Sequence, residues 1–123
     1  MLGTGEEVTV KADKVSFGEI VIDGKLWTDD IVIDKGHIAF RNKSVSRMSK
    51  GQYGHTPLTI HENIPWDCST LVVGTGIYGS LPVTDEVYRM AEELNVTLVV
   101  KKLKEAVKHL NDPDTNFVFH LTC

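Results

Sequence analysis

The stretch "LVVGTGIYGSLPVTDEVYRMAEELNVTLVV", residues 71–100, decides the fold. A β-branched apolar run ends in glycine, a turn follows, a helical pattern comes next, and a second β-branched run closes the segment. Thr84 is placed as a helix cap, and Asp85 and Glu86 set negative charge at the positive end of the helix dipole. Val87, Met90, Ala91 and Leu94 recur at helical spacing. "VTLVV", residues 96–100, is continuous in the manner of a strand covered on both faces. Downstream, "KKLKEAVKHL" (101–110) repeats the helical spacing through Leu103, Ala106, Val107 and Leu110, and Pro113 closes it. In "NFVFHLT" (116–122), Phe117, Phe119 and Leu121 alternate with Val118, His120 and Thr122. Strands joined through helices run parallel, so residues 58–123 read as a βαβαβ half.

Upstream the pattern is antiparallel. In "FGEIVIDGKLW" (17–27), Ile20 to Ile22 and Leu26-Trp27 flank Asp23-Gly24, the two positive-φ residues of a tight hairpin. In "DIVIDKGHIAF" (30–40), Ile31 to Ile33 and His37 to Phe40 flank a three-residue connection, Asp34-Lys35-Gly36. Residues 1–40 are therefore hairpins, and residues 41–57, polar and without period, are expected to form a long exposed loop. A single helical turn is expected around Thr59 to Asn63, stopped by Pro65. The fold class is α/β: one layered domain, 1–123, with a mixed central sheet, a parallel βαβαβ carboxyl half and antiparallel amino-terminal hairpins. Whether the hairpins extend that sheet or pack on it as a layer is open from sequence.

Residues 74–79 hold the spacing GxGxxG behind a strand, which raises dinucleotide binding. That fingerprint needs a helix starting inside the motif, with its first N–H groups on the phosphates, and an acidic residue about twenty positions on. Here Pro82 keeps the chain turning until Thr84, the next strand ends in Lys101-Lys102, and too little chain follows Gly79 for two mononucleotide halves. No cofactor is expected. Gly74 and Gly76 read as a tight turn over the carboxyl edge of a central strand. Gly74, Thr75 and Gly76 remain candidates to present backbone N–H groups to a small anion in the crevice beyond the strand ends.

The strand into GxG (Leu71 to Gly76), Pro82, the strand at Val96, Lys-Glu-Ala-Val at 104–107 and the closing His-x-Thr-Cys at His120, Thr122 and Cys123 come in an order more specific than any one of them. In these features, over roughly the last fifty residues, the chain resembles a family of small proteins of unknown biochemical function. That family includes the adipogenesis-associated domain protein and a mitochondrial assembly factor for respiratory complex I. The first half matches more loosely, at Trp27 and a loop near His55. The resemblance implies a layered α/β fold with a mixed sheet and implies no enzyme chemistry. The assembly role belongs to members with a mitochondrial presequence.

Composition narrows the partners. The chain has 123 residues, 41% hydrophobic and 24% charged, with a formal net charge of -4, so a packed core is expected and nucleic acid is not. No apolar run approaches the ~20 residues that cross a bilayer, so no membrane partner is expected. "MLGTGEEVTV" carries acid where a leader would carry Lys or Arg, which points to the cytoplasm. Cys68 and Cys123 are too few for a disulfide framework.

Single groups supply the rest. His120 and Cys123 are weak catalytic candidates, a thiol beside an imidazole, with no third residue to orient them and opposite strand faces to reach across. A metal site drawn from His55, His61, Glu62, Cys68, His120 and Cys123 lacks any recognised half-site, so no metal is expected. Asp67 with His61 or Glu62 could serve acid–base work, as could similar pairs in any soluble protein. Trp27 and Trp66 read as packing. Arg41, Lys43, Arg47 and Lys50, with Tyr53 and His55, make a basic loop in an acidic protein; Arg41, Arg47 and His55 are the ligand candidates there, for an anion or an acidic partner. The favoured reading is a non-catalytic binding or assembly domain acting through contacts with a protein of unspecified identity, and the alternative is an enzyme or small-anion binder using the GxG turn. Oligomeric state is not legible.

Overall fold

The computed structural model describes residues 10–50 and 54–123. The acidic first residues and Tyr53 lie outside the described residues. Strands β1 (Ala12–Ser16), β2 (Glu19–Ile22) and β3 (Lys25–Trp27) form a three-stranded antiparallel sheet in that order. A second, five-stranded sheet holds β4 (Ile31–Asp34), β5 (His37–Phe40), β6 (Thr70–Thr75), β7 (Thr97–Lys101) and β8 (Thr115–His120), in the order β5-β4-β8-β6-β7. β6 pairs in parallel with β7 and β8, whereas β4 pairs antiparallel with β8 and β5. Helix α1 (Asp85–Glu93) links β6 to β7. Helix α2 (Leu103–Ala106), continued by a 3-10 turn over Val107–His109, links β7 to β8.

The α/β fold expected from the sequence, with a parallel carboxyl half and antiparallel hairpins, is the fold observed. The question left open resolves both ways: the second hairpin extends the mixed sheet, and the first joins β1 in a separate sheet. Strand β1 carries no pattern strong enough to have been read.

Details differ from expectation where backbone geometry overrides pattern. Asp34 pairs with His37, so the second connection has two residues, Lys35 (φ 51°) and Gly36 (φ 85°), matching Asp23 (φ 49°) and Gly24 (φ 80°) in the first hairpin. The primed turn suits the right-handed twist of the strands, and Lys35 accepts the left-handed conformation to keep it. Thr84 occupies the cap position, but its buried hydroxyl makes no cap hydrogen bond and has no partner among the described residues. Residues 41–57 are not one exposed loop. Lys43–Ser49 forms a 3-10 helix, and Arg41, Ser46 and Pro57 are buried.

Both faces of the mixed sheet are covered, which is why its central strands read as unbroken apolar runs. On one face Ile31, Ile33, Val72, Phe117, Phe119 and Leu121 pack with Leu103 and Ala106 of α2 and with Ile20, Ile22 and Trp27 of the small sheet. On the other, Val32, Leu71, Val73 and Val118 meet Val87 and Ala91 of α1 and the segment carrying Leu58 and Ile64. Trp66 packs at the edge of that second cluster.

The glycines of residues 74–79 serve this packing. A Cβ on Gly74 would lie 3.0 Å from Phe119 and 3.1 Å from Leu103, so its absence seats α2 on the sheet. Gly76 has φ 99°, and a Cβ there would lie 2.3 Å from the Cys123 carbonyl carbon. The carboxyl tail curls over the turn: Ile77 N–H donates to Thr122 O (2.8 Å), and Tyr78 and Ser80 N–H both donate to Cys123 O (3.0 and 2.9 Å). We expect Gly76→Ala to cost at least about 2 kcal/mol, from strain and collision with the tail. Urea unfolding checks this, and an unmoved midpoint would contradict the packing of tail on turn.

Candidate functional site

The pairing of β4 with β8 sets Ile31 opposite Phe119, and the pairing of β4 with β5 sets Ile31 opposite Phe40. One residue beyond that row, Asp30, Arg41 and His120 arrive together at the same margin of the sheet, beside Thr75, which is paired with His120 from β6. Register alone makes this meeting.

Asp30 is the hub. Its Oδ1 accepts the Leu121 N–H (2.9 Å), and its Oδ2 faces His120 Nδ1 (2.8 Å) and accepts from Arg41 Nη1 (2.9 Å). Arg41 turns its other edge to Glu62, with Nε donating to Oε1 (2.6 Å) and Nη2 to Oε2 (3.0 Å), and Nη2 also donates to Pro57 O (2.9 Å). Glu62 further accepts from the Ser46 hydroxyl (2.5 Å) and the Thr59 N–H (3.1 Å). Arg41, Asp30 and Glu62 side chains are 1%, 3% and 1% exposed. A buried charge costs several kcal/mol unless paired and hydrogen-bonded, and here every charged atom is answered. Burial lowers the Arg41 pKa less than the bond to Glu62 and the two carboxylate charges raise it, so it stays charged. Burial also works to raise the Asp30 pKa, but the His120 bond and charge, the Leu121 N–H and Arg41 outweigh it and hold the carboxyl at about 2.

Next to this cluster is a cavity of about 160 Å³ lined by Arg41, Lys43, Arg47, Lys50, His55, Thr56, His120 and Thr122. The 3-10 helix brings Arg47 to it, with Lys50 just past the helix end, and β8 brings His120, with Thr122 two residues beyond the strand. Lys43 pairs with Asp29 at 2.8 Å, and Arg41 is neutralised from within. Among the described residues Arg47 and Lys50 join no salt bridge, so the cavity faces solvent with net positive charge. His120 is held at both nitrogens, Nδ1 by Asp30 and Nε2 at 3.2 Å from Thr122 Oγ1.

The sequence candidates thus divide. Arg47, His55 and His120 meet at the cavity. Arg41 is there too, but as a buried ion-pair partner and not as a loop cation reaching for ligand; the loop does not expose it, because the register sets it on Asp30. Gly74, Thr75 and Gly76 shape the strand end and the turn, and the N–H groups of Ile77, Tyr78 and Ser80 next to them are taken by the chain's own tail. Cys123 is half-buried and, among the described residues, shares no hydrogen bond with His120. The acid–base pairs do not form either: Asp67 bonds Lys35 at the surface, while Glu62 is buried on Arg41. Among the described residues no three His, Cys, Asp or Glu side chains converge as metal ligands. Asp30 went unread. Its one signal is a second carboxylate, Asp29-Asp30, placed directly before an apolar strand where solvent exposure alone would not require it.

A larger cavity, about 470 Å³, lies at the opposite end of β8 among Ile33, Lys35, Leu110, Asp114 and Phe117. Its polar groups are engaged: the Asn116 amide serves Lys35 N–H, Asp34, Pro65 O and Asp67 O, and Asn111 pairs with the Val10 backbone.

Compared with known proteins, the chain is 33% identical to a conserved hypothetical protein, PH1505, from Pyrococcus horikoshii OT3, over 92% of this chain and 99% of that one, with a TM-score of 0.75. It shares its fold with MT938 (19% identity, 94% and 100% covered, TM-score 0.67). It also shares it with an outer membrane protein from Bartonella henselae (13%, 95% and 98% covered, TM-score 0.63). No protein-family model and no curated protein matches. No helix among the described residues is long and apolar enough to cross a membrane.

Because the folded Asp30 pKa is depressed from 3.8 to about 2, its stabilising effect is complete above the unfolded value and is lost as pH falls through that interval. We expect wild type to lose about 2 kcal/mol from this group between pH 5 and pH 2, an increment that the Asp30→Asn variant lacks. Chemical denaturation across that range checks it.

Proposed function

Because the chain belongs to the family of the conserved hypothetical protein from Pyrococcus horikoshii, we propose its function from the site itself: it binds a small anion, a carboxylate or phosphate, in the His120 cavity. The observation that carries this is the convergence of Arg47, Lys50, His55 and His120 on one concave site in a chain whose net charge is -4. Cationic side chains around a low-dielectric wall concentrate an anion, and the ion-paired floor of Arg41, Asp30 and Glu62 fixes the wall. About 160 Å³ is small beside ordinary ligand pockets, which suits a compact oxyanion group and not a whole nucleotide. The crevice lies beyond the carboxyl end of β8, where ligands of open α/β sheets bind. The proposed site does not draw on the GxG turn, beside which the Ile77, Tyr78 and Ser80 N–H groups are bonded to the chain's own tail.

A second reading, docking of another protein, is supported by Phe17 and Tyr78, whose exposed rings lie 6.2 Å apart, and by Met48, 97% exposed on the 3-10 helix beside the cavity. We also carry two finer inferences as proposals: kinship with the adipogenesis-associated domain protein and the complex I assembly factor, on the GxG, Pro82 and His-x-Thr-Cys pattern, and a cytoplasmic setting, which suits free thiols at Cys68 and Cys123.

Thermal-shift measurement with inorganic phosphate, citrate and succinate tests the anion reading. A ligand at ~100 times its Kd adds roughly 2.7 kcal/mol of stability. We expect at least one anion to stabilise wild type and Arg47→Ala/Lys50→Ala to abolish the shift. Equal shifts in both proteins would place the anion elsewhere, and no shift in either would reject the reading.

A further inference from the structure

We propose that Thr122, His120 and Asp30 act as nucleophile, general base and orienting carboxylate, hydrolysing small carboxylic esters whose acyl part carries an anionic group. The proposal deepens the anion reading and rests on it for substrate class. Its geometry is independent. Thr122 Oγ1 lies 3.2 Å from His120 Nε2, and His120 Nδ1 lies 2.8 Å from Asp30 Oδ2, the reach expected of a nucleophile, its base and the group that holds the base. Both His120 and Thr122 line the cavity.

Hydrogen-bond accounting sets the tautomer. Asp30, ionised and bonded to Arg41 and the Leu121 N–H, is an acceptor only, so Nδ1 must be the nitrogen that donates to it. With Nδ1 protonated, the base form of the ring is the one with its lone pair on Nε2, facing the Thr122 hydroxyl at 3.2 Å. Arg41 and the Leu121 N–H hold Asp30 from two sides, and Glu62 holds Arg41, so the ring is positioned by a buried frame.

The step balances without a cofactor. Thr122 Oγ bonds to the ester carbonyl carbon as its proton passes to Nε2, and the carbonyl π pair moves onto oxygen, where the cationic side chains of the cavity, Arg47 and Lys50, oppose its charge. The pair returns, the bond to the alcohol oxygen breaks, and Nε2 gives its proton to that oxygen. Water then adds to the acyl-threonine by the same route, releasing the acid and restoring the Thr122 hydroxyl. Neither Cys123 nor the GxG turn takes part.

The test offers the full chain the p-nitrophenyl monoester of succinic acid and, beside it, p-nitrophenyl acetate. Released p-nitrophenolate is followed, and quenched protein is mapped by peptide mass spectrometry. We expect turnover of the succinyl ester with an acyl group on Thr122, slower turnover of the acetate, a loss of at least about a hundredfold in Thr122→Val and in His120→Gln, and recovery in Thr122→Ser. Circular dichroism confirms that the compared variants are folded. An acyl group on Cys123 or on a lysine in place of Thr122, or turnover unchanged in Thr122→Val, overturns the proposal. Absence of hydrolysis while phosphate or succinate still stabilises the protein also overturns it, leaving the anion reading in place. Hydrolysis through Thr122 without any anion-dependent shift supports the triad and removes the anion reading instead.

Discussion

The antiparallel seam between β4 and β8 is the constraint on which the molecule turns. It joins the second amino-terminal hairpin to the parallel half, and its register, Ile31 on Phe119, fixes what stands at its end. Asp30 is delivered there into a place with almost no water, and a carboxylate in such a place needs partners. Leu121, His120 and Arg41 supply them from two other strand ends. Arg41 brings in Glu62, and Glu62 brings in Ser46 and Thr59. A segment with no sheet or helix pattern of its own is thereby folded against the margin by charge and hydrogen bonding. Removing a single member would strand the others, which is why the cluster behaves as one unit and not as separate ion pairs.

The same margin explains the glycine-rich turn. Gly74 and Gly76 lack side chains because α2, Phe119 and the tail at Cys123 occupy the space where side chains would be. The Ile77, Tyr78 and Ser80 amides next to them donate to the chain's own carbonyl oxygens. The tail, pulled over the turn, leaves Thr122 beside His120. One strand across, past the end of β8, His120 and Thr122 line a cavity that Arg47 of the 3-10 helix also borders.

What the sequence by itself determined is the order and direction of the strands from β2 onward and of the two helices that link the parallel ones. Periodicity of two and of 3.6, Asp23-Gly24 and a Gly36-bearing connection at the hairpin tips, and continuous apolar runs in β6 and β7 are local properties, set by sterics and by burial on one or both faces. They were legible at Ile20, Val72, Val87 and Phe117 because each such residue reports its own surroundings. Arg47, His55 and His120 stand out in the sequence as a basic run in an acidic chain and an imidazole near a strand end, and the fold brings them to one cavity.

Only the tertiary structure decided which of these residues meet. Asp30 is 90 positions from His120 and 11 from Arg41, and nothing in the chain between them encodes the encounter. It follows from the register of two strand pairs, and register is chosen by the whole apolar face at once. Arg41 looked like a loop cation because its neighbours are polar, yet it is buried because a carboxylate waits in the sheet. Side-chain charge is written in the sequence; whether it is spent on the core or offered to a ligand depends on distances that only a folded chain possesses.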